Sequence, residues 1–411
     1  MRFLFYSHDG LGLGHTRRHL AVAAELAKKA PQAAILLATG GEDIPRHGLP
    51  WQIEVLKLPG LRKESNQKYA PRRLRVSADE IRKIRSDLLL ATVKSFKPTV
   101  VLVDKHPFGA SGELKAALKA LARRGGRPVL GLRDILDEAS QVMAEWQPHR
   151  MQRRIAEAYD QVLIYGDREV FDPIKEYQFP PELQARTYFC GYVSNTTHKK
   201  CLENFDWPFP NRNTRKRPVV LATAGGGEDG FRTLETFMRV AEGAAWQGVA
   251  VAGPMIPDGQ LAALEKLAHK NGVTFRVFVP HLSALFPSLD ALVTMGGYTT
   301  LVEAISAGVR TICVPRVSPR AEQLMRAEAF ERLGLLTVCH PARLSPAILG
   351  DAISSALRES PDTIRKRARK LLNFDGAGTA ADRLIELARE GLRKKRSGTT
   401  AHRLAEASTH R

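Results

Sequence analysis

Short apolar runs alternate with longer stretches of helical spacing along most of this chain. In the first half, Arg2–Ser7, Ala33–Ala38, Gln52–Leu58, Thr99–Val103, Pro128–Leu132 and Gln161–Tyr165 read as strands. Between them, His15–Ala30, Ala78–Phe96, Gly112–Arg123 and Ile135–Tyr159 carry the 3.6-residue apolar period of helices. The rhythm breaks after Val193, where Ser194–Arg217 is polar and interrupted by Pro208 and Pro210, and this segment reads as a linker. It then restarts, with strands at Pro218–Thr223, Gly248–Val251, Thr274–Val279, Ala291–Thr294, Thr311–Val314 and Leu336–Cys339. The helices of this half fall at Phe231–Ala244, Gln260–Lys270, Thr300–Ala307, Ala321–Leu333, Pro346–Arg358 and Pro361–Leu372. Alternating elements of these lengths imply parallel sheets covered on both faces. The expected fold is therefore α/β, with two doubly wound Rossmann-like domains facing across a cleft. Their spans are 1–193 and 218–373, joined by a linker at 194–217 and followed by a C-terminal helix within 374–396 and a polar tail, 397–411, expected to be disordered.

Composition narrows the class. A chain of 411 residues with 44% hydrophobic residues has enough apolar material for two ordinary cores. No run approaches the roughly 18 apolar residues of a spanning helix, and the opening apolar run is too short for a secretory signal, so a cytoplasmic protein is expected. Cys190, Cys201, Cys313 and Cys339 lack the spacing of a metal or disulfide framework and read as thiols of the core. The net charge of +19 is unevenly placed: Lys57–Lys97 holds twelve Lys/Arg against four Asp/Glu. Such a surface attracts phosphates, anionic lipid headgroups or nucleic acid, and serves equally as a solvated face. No aromatic-interleaved basic stripe accompanies it, so nucleic acid is not expected as a partner.

Loops after strands are where open sheets hold ligands. The first, Asp9–His15, spaces Gly10, Gly12 and Gly14 ahead of a helix start, where close backbone approach and the helix dipole favour an anion. A dinucleotide fingerprint would need glycine where His15 stands, which removes support for a dehydrogenase. At that position an imidazole can instead take a proton from a hydroxyl. His15 and His19 are spaced as a metal pair but lack a third ligand, and no metal is expected. Asp104-Lys105-His106 and Arg133-Asp134 follow two further strands, and either acid can orient His15 or act as the base, although ordinary βα-loop capping accounts for both somewhat better.

Gly225-Gly226-Gly227-Glu228-Asp229-Gly230 opens the second domain with the same anion-cradling pattern, and without a Walker lysine. Met295-Gly296-Gly297-Tyr298-Thr299-Thr300-Leu301-Val302-Glu303 is the most informative loop. Its amides and hydroxyls suit a diphosphate, and Glu303 one turn on suits a ribose diol. Thr300-x-x-Glu303 also has the form of a capping box that needs no ligand. Beyond one strand, Glu322 and Gln323 offer the donors and acceptors a sugar ring requires, and Arg320 just before them can offset charge on the phosphates or pair with an acid.

The order G-G-x-T-x-x-E, A-G-V-x-x-I-x-V-P and E-Q before a helix resembles the donor domain of GT-B glycosyltransferases. It is most similar to the bacterial peptidoglycan N-acetylglucosaminyltransferase that forms lipid II and to its family 28-like relatives. The resemblance covers most of residues 1–373. It implies that Gly226, Gly227 and Gly296–Thr300 hold the diphosphate of a nucleotide sugar, a UDP-sugar being favoured. It further implies that Glu303 binds the ribose, that Val279 and Leu282 lie against the nucleobase, and that Arg320, Glu322 and Gln323 meet the donor sugar. His15 and Asp134 would serve as catalytic groups, with Gly12, Gly14, Asp104, His106 and Arg133 on the acceptor side. Two acids, Glu228 and Asp229, depart from the family's loop at the diphosphate. The absence of any D-x-D pair fits transfer without a metal or other cofactor. The expected activity is inverting sugar transfer to an acceptor hydroxyl, with Lys57–Lys97 either docking on the inner face of the plasma membrane that bears a lipid-linked acceptor or holding an anionic soluble one. The alternatives are a nucleotide-sugar hydrolase or epimerase on the same fold, and a non-catalytic nucleotide-sugar or nucleic-acid binding protein.

Overall fold

The computed structural model describes residues 1–7, 14–41, 49–65, 68–194 and 215–408. Two parallel sheets carry the fold, as the alternation predicts. The first has seven strands in the order Ile53–Lys57, Ala34–Thr39, Arg2–Ser7, Val100–Asp104, Arg127–Arg133, Gln161–Tyr165, Thr187–Phe189. The second has six, in the order Thr274–Arg276, Gln247–Val251, Val219–Thr223, Ala291–Thr294, Arg310–Cys313, Thr337–Val338. Central strands such as Val219–Thr223 are buried on both faces, which is why they read as continuous apolar runs.

Several boundaries differ from the sequence reading for local reasons. The helix expected at Ile135–Tyr159 is two helices, Ala139–Trp146 and Met151–Ala158, separated by a turn of 3-10 helix around Pro148. Proline removes a donor and clashes with the preceding turn, and Arg150 then takes a left-handed conformation at φ 45°. A two-stranded antiparallel hairpin, Leu61–Ser65 with Lys68–Pro71, lies within the basic segment. The strand expected to reach Val279 ends at Arg276.

The closing helix spans Gly376–Ser408 and so takes in residues assigned from sequence to the tail. The Asp375 carboxylate accepts the Gly378 N–H, satisfying one of its first-turn amides. This helix packs on the first helix, Gly14–Lys29, and therefore belongs spatially to the N-terminal sheet. One apolar cluster runs without interruption from Phe3 and Phe5 through Tyr192, Tyr298 and Phe330 to Leu384, so both domains share a core. Among the described residues no helix is long and apolar enough to cross a membrane.

Candidate active site

The ends of the two sheets meet where the first helix and the helix Tyr298–Ala307 begin. A Cβ placed on Gly14 would lie 3.6 Å from Thr299 Oγ1, so the two helix starts face one another closely. Arg17 also bears on His281 from across the same cleft. Gly12 lies outside the described residues.

His15 occupies the second position of the first helix, and its Nδ1 hydrogen-bonds the Asp104 carboxylate. Arg18, one turn on, donates to both oxygens of Asp104 at 3.0 and 3.1 Å. Burial alone would raise the Asp104 carboxyl, but Arg18 and His15 outweigh it and hold it well below the usual carboxylate range. Arg18 also lies 3.0 Å from His15 Nδ1, so the Asp104 carboxylate and the Arg18 guanidinium both bear on that nitrogen and fix the orientation of the ring. Lys105 follows at φ 63°, a strained conformation for a residue with a side chain, and it turns the backbone so that His106 comes back under Asp104. His106 meets the Tyr69 hydroxyl of the hairpin at 3.2 Å, and burial followed by Lys105 and His15 keeps its imidazole neutral.

Of the two acids considered as His15's partner, the structure thus brings Asp104 to it. Asp134 is elsewhere engaged: it forms a bidentate ion pair with Arg326 of the second domain at 2.7 and 2.9 Å, and it also accepts the Ile135 N–H. With both oxygens committed and no solvent access, Asp134 is a structural tie in place of the expected catalytic base. Arg320 is also engaged. It pairs with Asp137 and Glu145 of the first domain at 3.2 and 2.8 Å, so it bridges the domains, the pairing with an acid that its position allows.

On the donor side, the helix Tyr298–Ala307 starts from Gly297 with no side-chain cap. Thr300 is therefore inside the first turn, and the capping-box account of Thr300 and Glu303 does not hold. The first-turn amides of Tyr298, Thr299 and Thr300 receive no cap from the N-cap side chain, as an anion site at a helix start requires. Gly297 has open space where a Cβ would go, whereas a Cβ on Gly296 would meet Gln323 O at 2.5 Å. Gly296 thus serves close packing of the two loops, and its carbonyl accepts from Arg326 at 3.0 Å. Tyr298 turns its side chain inward. Its hydroxyl accepts the Val193 N–H at 3.1 Å, and Arg18 and Arg326 flank its ring, so only its main chain borders the cradle. Glu303 is buried one turn further along.

Gly226 and Gly227 pack against the loop 252–256, with Gly227 at φ 101°, where any Cβ would strike Ala252 O and Gly253 O. The Val279 side chain is buried with Leu221, Val251 and Phe286, so any nucleobase contact falls to its backbone, to Leu282, or to the neighbouring half-exposed Phe278. Glu322 opens the helix Glu322–Arg332, with Oε1 held by Arg316 at 2.9 Å and Oε2 buried with no hydrogen-bond partner among the described residues. Arg316 also reaches Asp229 at 3.3 Å, and its N–H donates to Gln323 Oε1 at 3.2 Å. It answers the unexpected acid in the glycine loop. The sequence reading gave roles to none of Arg18, Arg316, Arg326, Asp137 and Tyr69. Only Arg18, one turn beyond His15, was visible as a neighbour.

Two Rossmann-like domains, with parallel sheets of seven and six strands, define a protein of GT-B glycosyltransferase architecture. No protein-family model matches the chain. The UDP-N-acetylglucosamine–N-acetylmuramyl-(pentapeptide) pyrophosphoryl-undecaprenol N-acetylglucosamine transferase of Levilactobacillus brevis is 23% identical over 402 residues, 93% of this chain and 98% of that enzyme. The enzyme of the same name from Oenococcus oeni is 28% identical over 196 residues, 45% of this chain and only 50% of that one. The crystal structure of Acinetobacter baumannii MurG matches with a TM-score of 0.58 at 13% identity, covering 94% of this chain and 100% of MurG. The chain is a homologue of glycosyltransferases, with GT-B enzymes as its structural neighbours.

Proposed function

We propose that this protein transfers a sugar from a nucleotide-diphosphate sugar to an acceptor hydroxyl, with inversion and without a metal. The observation that carries the reading is the approach of Gly14, the neighbour of the Asp104-bonded His15, to the uncapped helix start at Gly297–Thr300. His15 Nε2 removes the acceptor proton as the hydroxyl oxygen bonds to the anomeric carbon. The bond from that carbon to the diphosphate breaks, and the departing charge is met by the amides of Tyr298–Thr300. A base on the face opposite the leaving group gives inversion. Glu303 takes the ribose hydroxyls, the backbone at Val279 with Leu282 takes the base, and Glu322 with Gln323 takes the sugar. The donor is a UDP-sugar, by analogy with relatives named for UDP-N-acetylglucosamine.

The acceptor in this reading is lipid-linked and is met at the cytoplasmic membrane face. On the basic segment, exposed Leu74, Ile84 and Leu88 interleave with exposed Arg73, Arg75, Arg82 and Lys83, a mixture suited to an anionic lipid surface. Co-sedimentation with vesicles containing anionic lipid, and its absence with neutral ones, tests this part.

The donor assignment is tested by calorimetric titration with UDP. Wild-type protein is expected to bind and Glu303→Ala to bind at least roughly tenfold more weakly, the loss of a charge-assisted hydrogen-bond pair. Equal affinity would sink it. Incubation with a UDP-sugar and no acceptor separates transfer from hydrolysis or epimerisation, because a transferase leaves the donor intact.

A further inference from the structure

The loop after the strand Arg127–Arg133 carries three charged side chains whose partners differ. Asp134 gives both oxygens to Arg326, and Asp137 takes Arg320 together with the Ala321 N–H at 3.0 Å. Both acids thus spend their charge on the second domain. Arg133, the residue immediately before them, makes no side-chain ion pair or hydrogen bond among the described residues. Its Nε is shut off from solvent with nothing to donate to. Burial, and then Arg326 and Arg18 as like charges, hold its guanidinium below the usual value, while Glu322 attracts it without reaching ion-pair distance.

A partly buried cation among other cations is unfavourable unless an anion completes it. Among the described residues, Asp104 is taken by Arg18 and His15 and Asp134 by Arg326, while Glu322 gives Oε1 to Arg316 and stays beyond ion-pair distance of Arg133. No described acid pairs with Arg133, which leaves its guanidinium open to an anionic ligand. A guanidinium presents a planar fork that matches two phosphate oxygens at once.

We infer that Arg133 binds a phosphate group in the cleft between the domains. The binding stands without the transferase reading; only the source of the phosphate, the donor's diphosphate or a phosphate on the acceptor, rests on it.

The test is calorimetric titration of the full chain with inorganic pyrophosphate, with and without saturating UDP, for wild type and Arg133→Gln. Wild type is expected to bind pyrophosphate, and Arg133→Gln to bind it at least roughly tenfold more weakly, as two charge-assisted hydrogen bonds are lost. If UDP displaces pyrophosphate, and Arg133→Gln weakens UDP but not uridine, the donor's diphosphate is the ligand. If pyrophosphate binds UDP-saturated protein and the variant loses that binding, the phosphate belongs to the acceptor. Should Arg133→Gln fail to fold, Glu322→Gln provides the second readout, since removing the negative neighbour is expected to tighten pyrophosphate binding. Unchanged pyrophosphate affinity in the variant used, or no binding by wild type, overturns the inference. Intact Glu303-dependent UDP binding beside an indifferent Arg133 sinks this inference alone. Arg133-dependent pyrophosphate binding without any nucleotide affinity sinks the transferase reading alone.

Discussion

Asp134 and Arg326 form a bidentate ion pair across the domain boundary, and neither side chain reaches solvent. Arg326 passes the connection on to the donor cradle by donating to Gly296 O and lying over the Tyr298 ring. Asp134→Asn leaves a buried guanidinium short of its counter-charge, which costs about 3–5 kcal/mol. A drop in the thermal midpoint is expected. Replacing both residues with apolar ones of similar volume is expected to recover most of it, since an apolar pair owes no desolvation. A double variant as unstable as the single one would contradict this account.

His15→Ala is expected to lower kcat by about 10²–10⁴-fold while leaving UDP affinity in place, the signature of a lost proton acceptor. Asp104→Asn should lower kcat in the same direction, because an amide no longer fixes the orientation of the imidazole. Single-turnover rates alongside UDP titration separate the two quantities. A parallel loss of UDP affinity would place His15 in donor binding.

The adjacent glycines of the cradle should respond differently. Gly296→Ala drives a methyl into the Gln323 backbone, at a cost of about 1–3 kcal/mol from overpacking. Gly297→Ala meets no neighbour within 4 Å, so its stability is expected to match wild type. It should instead weaken UDP, because the new methyl stands at the uncapped helix start. Melting curves and UDP titration of the two variants give the contrast directly.

His19 carries a pH dependence. It is fully buried against Phe5, and its imidazole is pushed down to about 4, by burial first and then by Arg18 and His15, with Asp104 opposing. The unfolded chain takes up this proton near pH 6.5, whereas the folded chain refuses it until about pH 4. The stabilisation is therefore complete above about pH 6.5 and is lost as pH falls from there to about 4, at up to about 1.4 kcal/mol per pH unit. Asp104 acts lower, since its depressed carboxyl gives up its contribution only below about pH 4. His19→Gln is expected to flatten the curve of melting temperature against pH between 4 and 6.5. Superimposable curves for variant and wild type would remove His19 from the explanation.

The sheets, their order of appearance and the placing of the glycine loops at strand ends were legible because alternation and glycine placement are local signals. The partners of the charged residues were not. Asp134 and Arg326 are 192 positions apart, and Arg320 and Asp137 are 183 apart, so nothing in either neighbourhood announces the other. Each looked like a functional charge because it stands in a βα loop beside the cleft. The same distance hid Arg316 as the counter-ion of Asp229, 87 positions away. Thr300 and Glu303 illustrate a local signal that misled: the spacing of a capping box was present, but Gly297 started the helix one turn earlier. Pro148 stands between two stretches of apolar period, and the break it imposes overrides the continuity of that period.

The chain crosses between its domains twice, and the two passages touch. Val193 pairs with Asp375, the Tyr192 N–H donates to Asn373 O at 2.7 Å, and the Gly376 N–H donates to Tyr192 O at 3.0 Å. Gly191, at φ 83°, is what lets the two backbones lie so close, since a Cβ there would fall 2.6 Å from Asn373 O. Two extended segments bonded edge to edge form a strap that bends out of its plane more readily than it shears within it. The two passages therefore hold one another, and the junction between the sheets rests on a paired strap where a single crossing would be a lone tether.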